Sequence, residues 1–104
     1  MSRRTSWRIP ISVNIKCYSG DKESPGTVTN LSEKGMFINT EETSCPEDSQ
    51  FQVTIPAKED DLHLSVKLIR SVKTNSHYGL GVELLNPPQK YTEYVDNLLH
   101  YFSI

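Results

Sequence analysis

Apolar residues recur at period 2 from Ile9 to Leu84 and at period 3.6 only once, after Asn86-Pro87-Pro88. This order constrains the fold more than any other feature. A parallel strand pair needs a crossover of a dozen or more residues between its members, usually a helix. No helical pattern interrupts the strand-like runs, so the strands must pair antiparallel. At 104 residues the chain closes one modest core, not two. Six or seven short strands and then one helix describe a mainly β domain, a small barrel or sandwich with a terminal helix.

The first run puts Ile9, Ile11, Val13, Ile15 and Cys17 on one face and Pro10, Ser12, Asn14, Lys16 and Tyr18 on the other. Pro10 cannot donate to a ladder and belongs at the start of the strand or on an edge. By turn chemistry "SGDKESPG" is expected to be a loop, after which "TVTNLS" and "GMFINT" flank "SEKG" as two short strands. A polar loop, "TEETSCPEDS", precedes "FQVTIP", which turns Phe51, Val53 and Ile55 inward; "AKEDD" is an acidic connection. "LHLSVKLIRSV" alternates through Leu62, Leu64, Val66 and Leu68, and Ile69 then breaks phase, which predicts a bulge or bend at Leu68–Ile69. After "TNSH", the run "YGLGVEL" places Gly79 and Gly81 together on one face, where a backbone or a ligand can approach closely. In the final segment Tyr91, Tyr94, Val95, Leu98, Leu99 and Phe102 form an apolar helical stripe. Either it covers the open end of the barrel or it serves a partner or a second copy.

The net charge of −2 argues against general polyanion binding. Its distribution is uneven: Arg3, Arg4 and Arg8 put +3 in the first eight residues, so the other ninety-six carry −5. The start "MSRRTSWR" lacks the apolar run of a secretory signal and no eighteen apolar residues are consecutive, so a cytoplasmic chain without membrane insertion is expected. Cys17 and Cys45 make no disulfide framework; Cys17 reads as a small core residue and Cys45 as a loop thiol. The three histidines have no metal-ligand spacing, no nucleophile–base arrangement is evident, and "GLG" is too short for a dinucleotide fingerprint. Neither an enzyme nor a metal site is expected. Single-stranded nucleic acid would need a basic aromatic groove, and the body of the chain is acidic.

If the first two strands form a hairpin around "SGDKESPG", Asn14 falls opposite about Asn30, Ser12 opposite about Ser32, and Arg8 near Gly35. Connectivity alone then brings the arginine-rich start and "NLSEKG" to one end of the sheet. Arg4 and Arg8, four apart, address one ligand in helical or extended form. Guanidinium is planar and permanently charged, and it binds phosphate or a guanine edge bidentately. Asn30 offers an amide and Ser32 a hydroxyl, two apart on one strand face, and Gly35 allows a crowded or left-handed backbone.

Arg4-x-x-x-Arg8 followed by Asn30-x-Ser32-x-x-Gly35 resembles the RxxxR and [D/N]xSxxG signature of PilZ domains, and "YGLGVEL" is similar to that family's late Gly-x-Gly-Val strand. The resemblance implies a six-stranded antiparallel β-barrel with a C-terminal α-helix, and a receptor for the bacterial second messenger cyclic di-GMP. It implies that residues 1–8 form a flexible arm and 9–104 a single barrel domain with its helix at 88–102. Arg4 and Arg8 would hold phosphates and guanines, with Arg3 as an accessory; Asn30 and Ser32 would hydrogen-bond the ligand from the barrel, and Gly35 would shape the turn. No cofactor besides that ligand is implied, nor any DNA or RNA partner, and signalling would pass to an unidentified downstream protein. The alternative is a PilZ-like adaptor with little or no nucleotide binding, working through its helix face and the "TEETSCPEDS" loop. Trp7, between the arginines, either stacks on a base or an arginine or packs on the barrel rim.

Overall fold

The alternating runs become strands whose apolar faces meet inside a closed barrel. A computed structural model describes residues 9–41, 48–57 and 60–102. The strands are β1 (Ile9–Ser19), β2 (Lys22–Leu31), β3 (Gly35–Thr40), β4 (Gln50–Ile55), β5 (Leu62–Lys73) and β6 (Tyr78–Leu84), followed by helix α1 (Gln89–Phe102). Around the barrel the order is β1-β2-β3-β6-β5-β4, with every neighbouring pair antiparallel. Closure resolves barrel against sandwich. The inward residues of each strand, Ile15 and Cys17, Val28 and Leu31, Met36 and Ile38, through to Val82 and Leu84, form one core.

The first hairpin differs from the expected one. Ser19 pairs with Lys22, so the turn is only Gly20-Asp21, and most of "SGDKESPG" is strand. Gly20 has φ 63° while Asp21 has no positive φ, the pattern of a type II′ turn, whose twist matches that of the flanking strands. Pro25 and Gly26 suggested a loop, yet β2 meets β3 only from Thr27 onward, so the missing N–H of Pro25 falls beyond that ladder. The register moves accordingly. Ile9 pairs with Leu31 and Pro10 with Asn30, whereas Asn14 faces Thr27 and not Asn30. Ser12 falls in the irregularity between Pro10 and Val13 and does not face Ser32.

Three ladders slip: between Pro10 and Val13 in β1, between Val28 and Asn30 in β2, and between Leu68 and Arg70 in β5. The last is the bulge predicted at Ile69, which is left without a partner on β6 and is 47% exposed. A bulge reverses side-chain parity. In an unbroken strand Arg70 would point inward with Leu68, and Asn30 inward with Val28. Here both lie on the outer face, while Leu31 takes the core position beyond Thr29.

α1 closes the barrel end at which β1 begins and β2, β4 and β6 finish. Tyr91 and Val95 are buried in the core, and Tyr94, Leu98 and Leu99 pack against it half-buried. The apolar stripe therefore covers the barrel. The Pro88 carbonyl starts the helix by accepting from the N–H groups of Tyr91, 2.9 Å, and Thr92, 3.3 Å. Among the described residues no helix is long and apolar enough to cross a membrane.

Candidate ligand-binding site

β2 ends at Leu31, and Ser32 to Gly35 form the tight return into β3. The Ser32 N–H donates to the Gly35 carbonyl at 2.8 Å, and its hydroxyl bridges the turn at 3.4 Å both to that carbonyl and from the Lys34 N–H. The Ser32 carbonyl accepts a 2.6 Å bond from the Tyr91 hydroxyl, and the Lys34 carbonyl accepts from the Leu84 N–H at 2.8 Å. Ser32 is consequently buried. It does not share a strand face with Asn30, contrary to expectation, because the strand has already ended.

Gly35 is required by crowding, not by a left-handed backbone. A Cβ there would lie 2.5 Å from the Val82 carbonyl oxygen of β6. Its φ is not positive, so the glycine serves the β3–β6 approach.

Across the outer surface, Pro10, Asn30, Phe37, Gly81 and Arg70 form one lateral row of paired positions on β1, β2, β3, β6 and β5. All three ladder slips border this row. Beside it the outer surface opens a groove of about 620 Å³, lined by Ser12, Asn14, Thr27, Thr29, Asn39 and His77 among others. These donors and acceptors, joined by the Glu41 carboxylate in the groove lining, suit a ligand that is hydrogen-bonded along its length.

Asn30, Ser32 and Gly35 thus come together at the helix-capped end of the barrel. Arg3, Arg4, Arg8 and Trp7 lie outside the described residues. Ile9, to which Arg8 is bonded, pairs with Leu31 between Asn30 and Ser32. The sequence reading did not single out Phe37, Arg70 or the link made by Tyr91. The signal for Phe37 was the glycine pair: a Cβ at Gly79 would lie 2.5 Å from the Phe37 ring, so the approach anticipated over β6 is that of an aromatic side chain. The signal for Arg70 was the phase break beside it.

Fold and site define a helix-capped, six-stranded antiparallel barrel with an Asn-x-Ser-x-x-Gly turn at the root of its first strand. The chain belongs to the PilZ domain family, whose model matches residues 2–100. Its fold is shared by a number of solved structures. YcgR from Escherichia coli in complex with c-di-GMP is 17% identical with a TM-score of 0.78, over 97% of this chain and 46% of that one. The PilZ domain of the same protein with c-di-GMP is 21% identical with a TM-score of 0.71, over 96% of this chain and 94% of that one. The Bacillus subtilis inhibitor of motility MotI/DgrA is 12% identical with a TM-score of 0.77, over 97% and 52%. The chain thus spans about half the length of the first and third of these structures. No curated protein matches it significantly in sequence.

Proposed function

We propose that this PilZ domain is a cytoplasmic, non-enzymatic receptor for cyclic di-GMP. The observation that carries the reading is the pairing of Ile9 with Leu31, which roots the arginine-bearing segment between Asn30 and Ser32. Arg8 directly precedes Ile9 in the chain, one peptide or about 3.8 Å between Cα atoms, and this continuity supports a role for it beside the Asn30 row. Family membership and the two c-di-GMP-bound neighbours support the same ligand.

In this reading residues 1–8 act as an arm that closes over the ligand. Arg4 and Arg8, with Arg3 accessory, hold phosphates and guanine edges through charge-assisted bonds. Asn30 hydrogen-bonds from the barrel wall, where a neutral amide places no carboxylate beside an anion. Ser32 adds its hydroxyl and Gly35 keeps the turn against β6. Ordering the arm costs about 1 to 2 kcal/mol per residue in backbone entropy, which the bonds to the ligand offset. The closed arm and its altered surface charge then present a new face to a downstream protein. Calorimetry with cyclic di-GMP tests the reading and gives the stoichiometry; amide shifts at Asn30, Ser32 and Gly35 should accompany saturation.

A second reading, a PilZ adaptor with little or no nucleotide binding, draws on the engagement of Ser32, whose hydroxyl and carbonyl are both used within the fold. Absence of heat and of shifts at those three residues selects it.

A further inference from the structure

β5 outruns its neighbour β4. The ladder between them covers Leu62 to Lys67, and Asp48 and Ser49 bond Leu68 just past it. Among the described residues, β5 beyond Leu68 pairs with β6 alone, and Ile69 to Lys73 are all exposed. The Thr74 N–H donates to the His77 carbonyl at 2.8 Å, which makes those two a bonded pair. Bonded and non-bonded pairs alternate along an antiparallel ladder. Val72–Gly79 and Arg70–Gly81 are therefore bonded pairs, and the N–H and C=O groups of Ser71 and Lys73 point away from β6. They form an open edge to which a further strand can add.

Ile69 and Val72, both on this edge, are the exposed large hydrophobics among the described residues. From Leu62 to Val82 the chain has no carboxylate, while Lys67, Arg70 and Lys73 place three cations there in a protein of net charge −2. Lys67 is met by Asp48 at 4.0 Å. Among the described residues Arg70 and Lys73 enter no salt bridge, and the Lys73 ammonium lies 5.9 Å from the Tyr78 ring centroid on its own hairpin. Lysine and a bulge on an edge strand deter pairing, and here the deterrent is selective. A second copy of this edge would bring two Arg70 and two Lys73 side chains together with no anion between them, so self-pairing is disfavoured. A strand that carries carboxylates meets complementary charge instead.

We propose that the edge from Ile69 to Lys73 is a docking site for an extended, carboxylate-bearing segment of a partner protein, which adds antiparallel to β5. The backbone of that segment pairs with Ser71 and Lys73. Acidic side chains fall opposite Lys73 and Arg70, and apolar ones cover Val72 and Ile69, so the segment reads acidic, apolar, polar, acidic, apolar along its own direction. Main-chain bonds supply the docking, and the alternate side chains supply the selection. The site needs no cyclic di-GMP and stands whether or not the receptor reading holds.

The test titrates a capped peptide containing Glu-Val-Thr-Glu-Val into the full chain without nucleotide, followed by amide NMR and hydrogen exchange. Shifts should centre on Ile69 to Lys73, and exchange should slow at the Ser71 and Lys73 amides. The same peptide with lysine for both glutamates should leave the spectrum unchanged, and raised salt should weaken the acidic one. This comparison on the wild-type chain needs no variant to fold. Arg70→Glu combined with Lys73→Glu should reverse the preference between the two peptides. Val72→Glu, melting like the wild type, should weaken the acidic peptide roughly tenfold or more, because a carboxylate then faces the incoming strand. No shift with the acidic peptide, equal binding of both peptides, or shifts without slowed exchange at Ser71 and Lys73 overturns the proposal.

Discussion

The Tyr91 hydroxyl donates a 2.6 Å hydrogen bond to the Ser32 carbonyl, across 59 residues of sequence. Both residues are buried, so the turn carrying the Asn-x-Ser-x-x-Gly motif and the helix that closes the barrel share a polar link shielded from water. Any displacement of the turn would therefore act on the helix, whose other face is exposed.

Tyr91→Phe keeps the ring in the core and removes only the donor. Burying the Ser32 carbonyl without that partner should cost about 1 to 3 kcal/mol, a loss to be read from urea unfolding. A stability equal to that of the wild type would show that another donor takes over the carbonyl.

Gly35→Ala places a methyl group 2.5 Å from a backbone oxygen, and neither strand can yield without breaking the β3–β6 ladder. Overpacking of this kind should destabilise by about 1 to 3 kcal/mol. Thermal unfolding compared with Gly81→Ala, whose new Cβ meets nothing closer than 3.6 Å, separates crowding from a general cost of replacing glycine.

Arg8→Ala should weaken cyclic di-GMP binding by about 1 to 3 kcal/mol, roughly 5- to 150-fold, in calorimetry. Equal affinities would remove Arg8 from the site.

Trp7 is the chain's one tryptophan and sits between Arg4 and Arg8, so its emission reports on the proposed arm. Saturation with cyclic di-GMP should shift its fluorescence. An unchanged spectrum under calorimetrically saturating ligand would eliminate arm closure as the signal.

Burial raises the Tyr94 phenol above its ordinary value by desolvating the anion. A group whose folded pKa exceeds its unfolded one contributes stability that is complete below the unfolded pKa and is lost as pH rises through the folded one. Stability should therefore decline above about pH 10, and less steeply in Tyr94→Phe. Parallel slopes for the two proteins in denaturant titrations from pH 8 to 11 would assign the decline elsewhere.

Alternation in β1, β4 and β6 and the stripe of α1 were legible because face parity is a local property of a strand or a helix. Ile15, Cys17, Phe51, Val53, Leu80 and Val82 occupy the inward positions that period assigns them. The bulge at Ile69 was legible for the same reason, as a break in period. The first hairpin was not: Pro25 and Gly26 carry loop chemistry, and Pro25 is admitted to a strand because the backbone ladder to β3 begins only at Thr27, while Thr40 of β3 meets the Pro25 carbonyl with its hydroxyl. The site divides in the same way. Its residue types and their spacing, Asn30-x-Ser32-x-x-Gly35 with arginines ahead of the first strand, are properties of the sequence and were enough to indicate the family. That Asn30 faces Pro10, that Ser32 is held beneath Tyr91, and that Arg70 stands in the same row were decided by tertiary structure. Register and the parity beyond a bulge depend on how a strand meets its neighbours, and those neighbours come from distant parts of the chain.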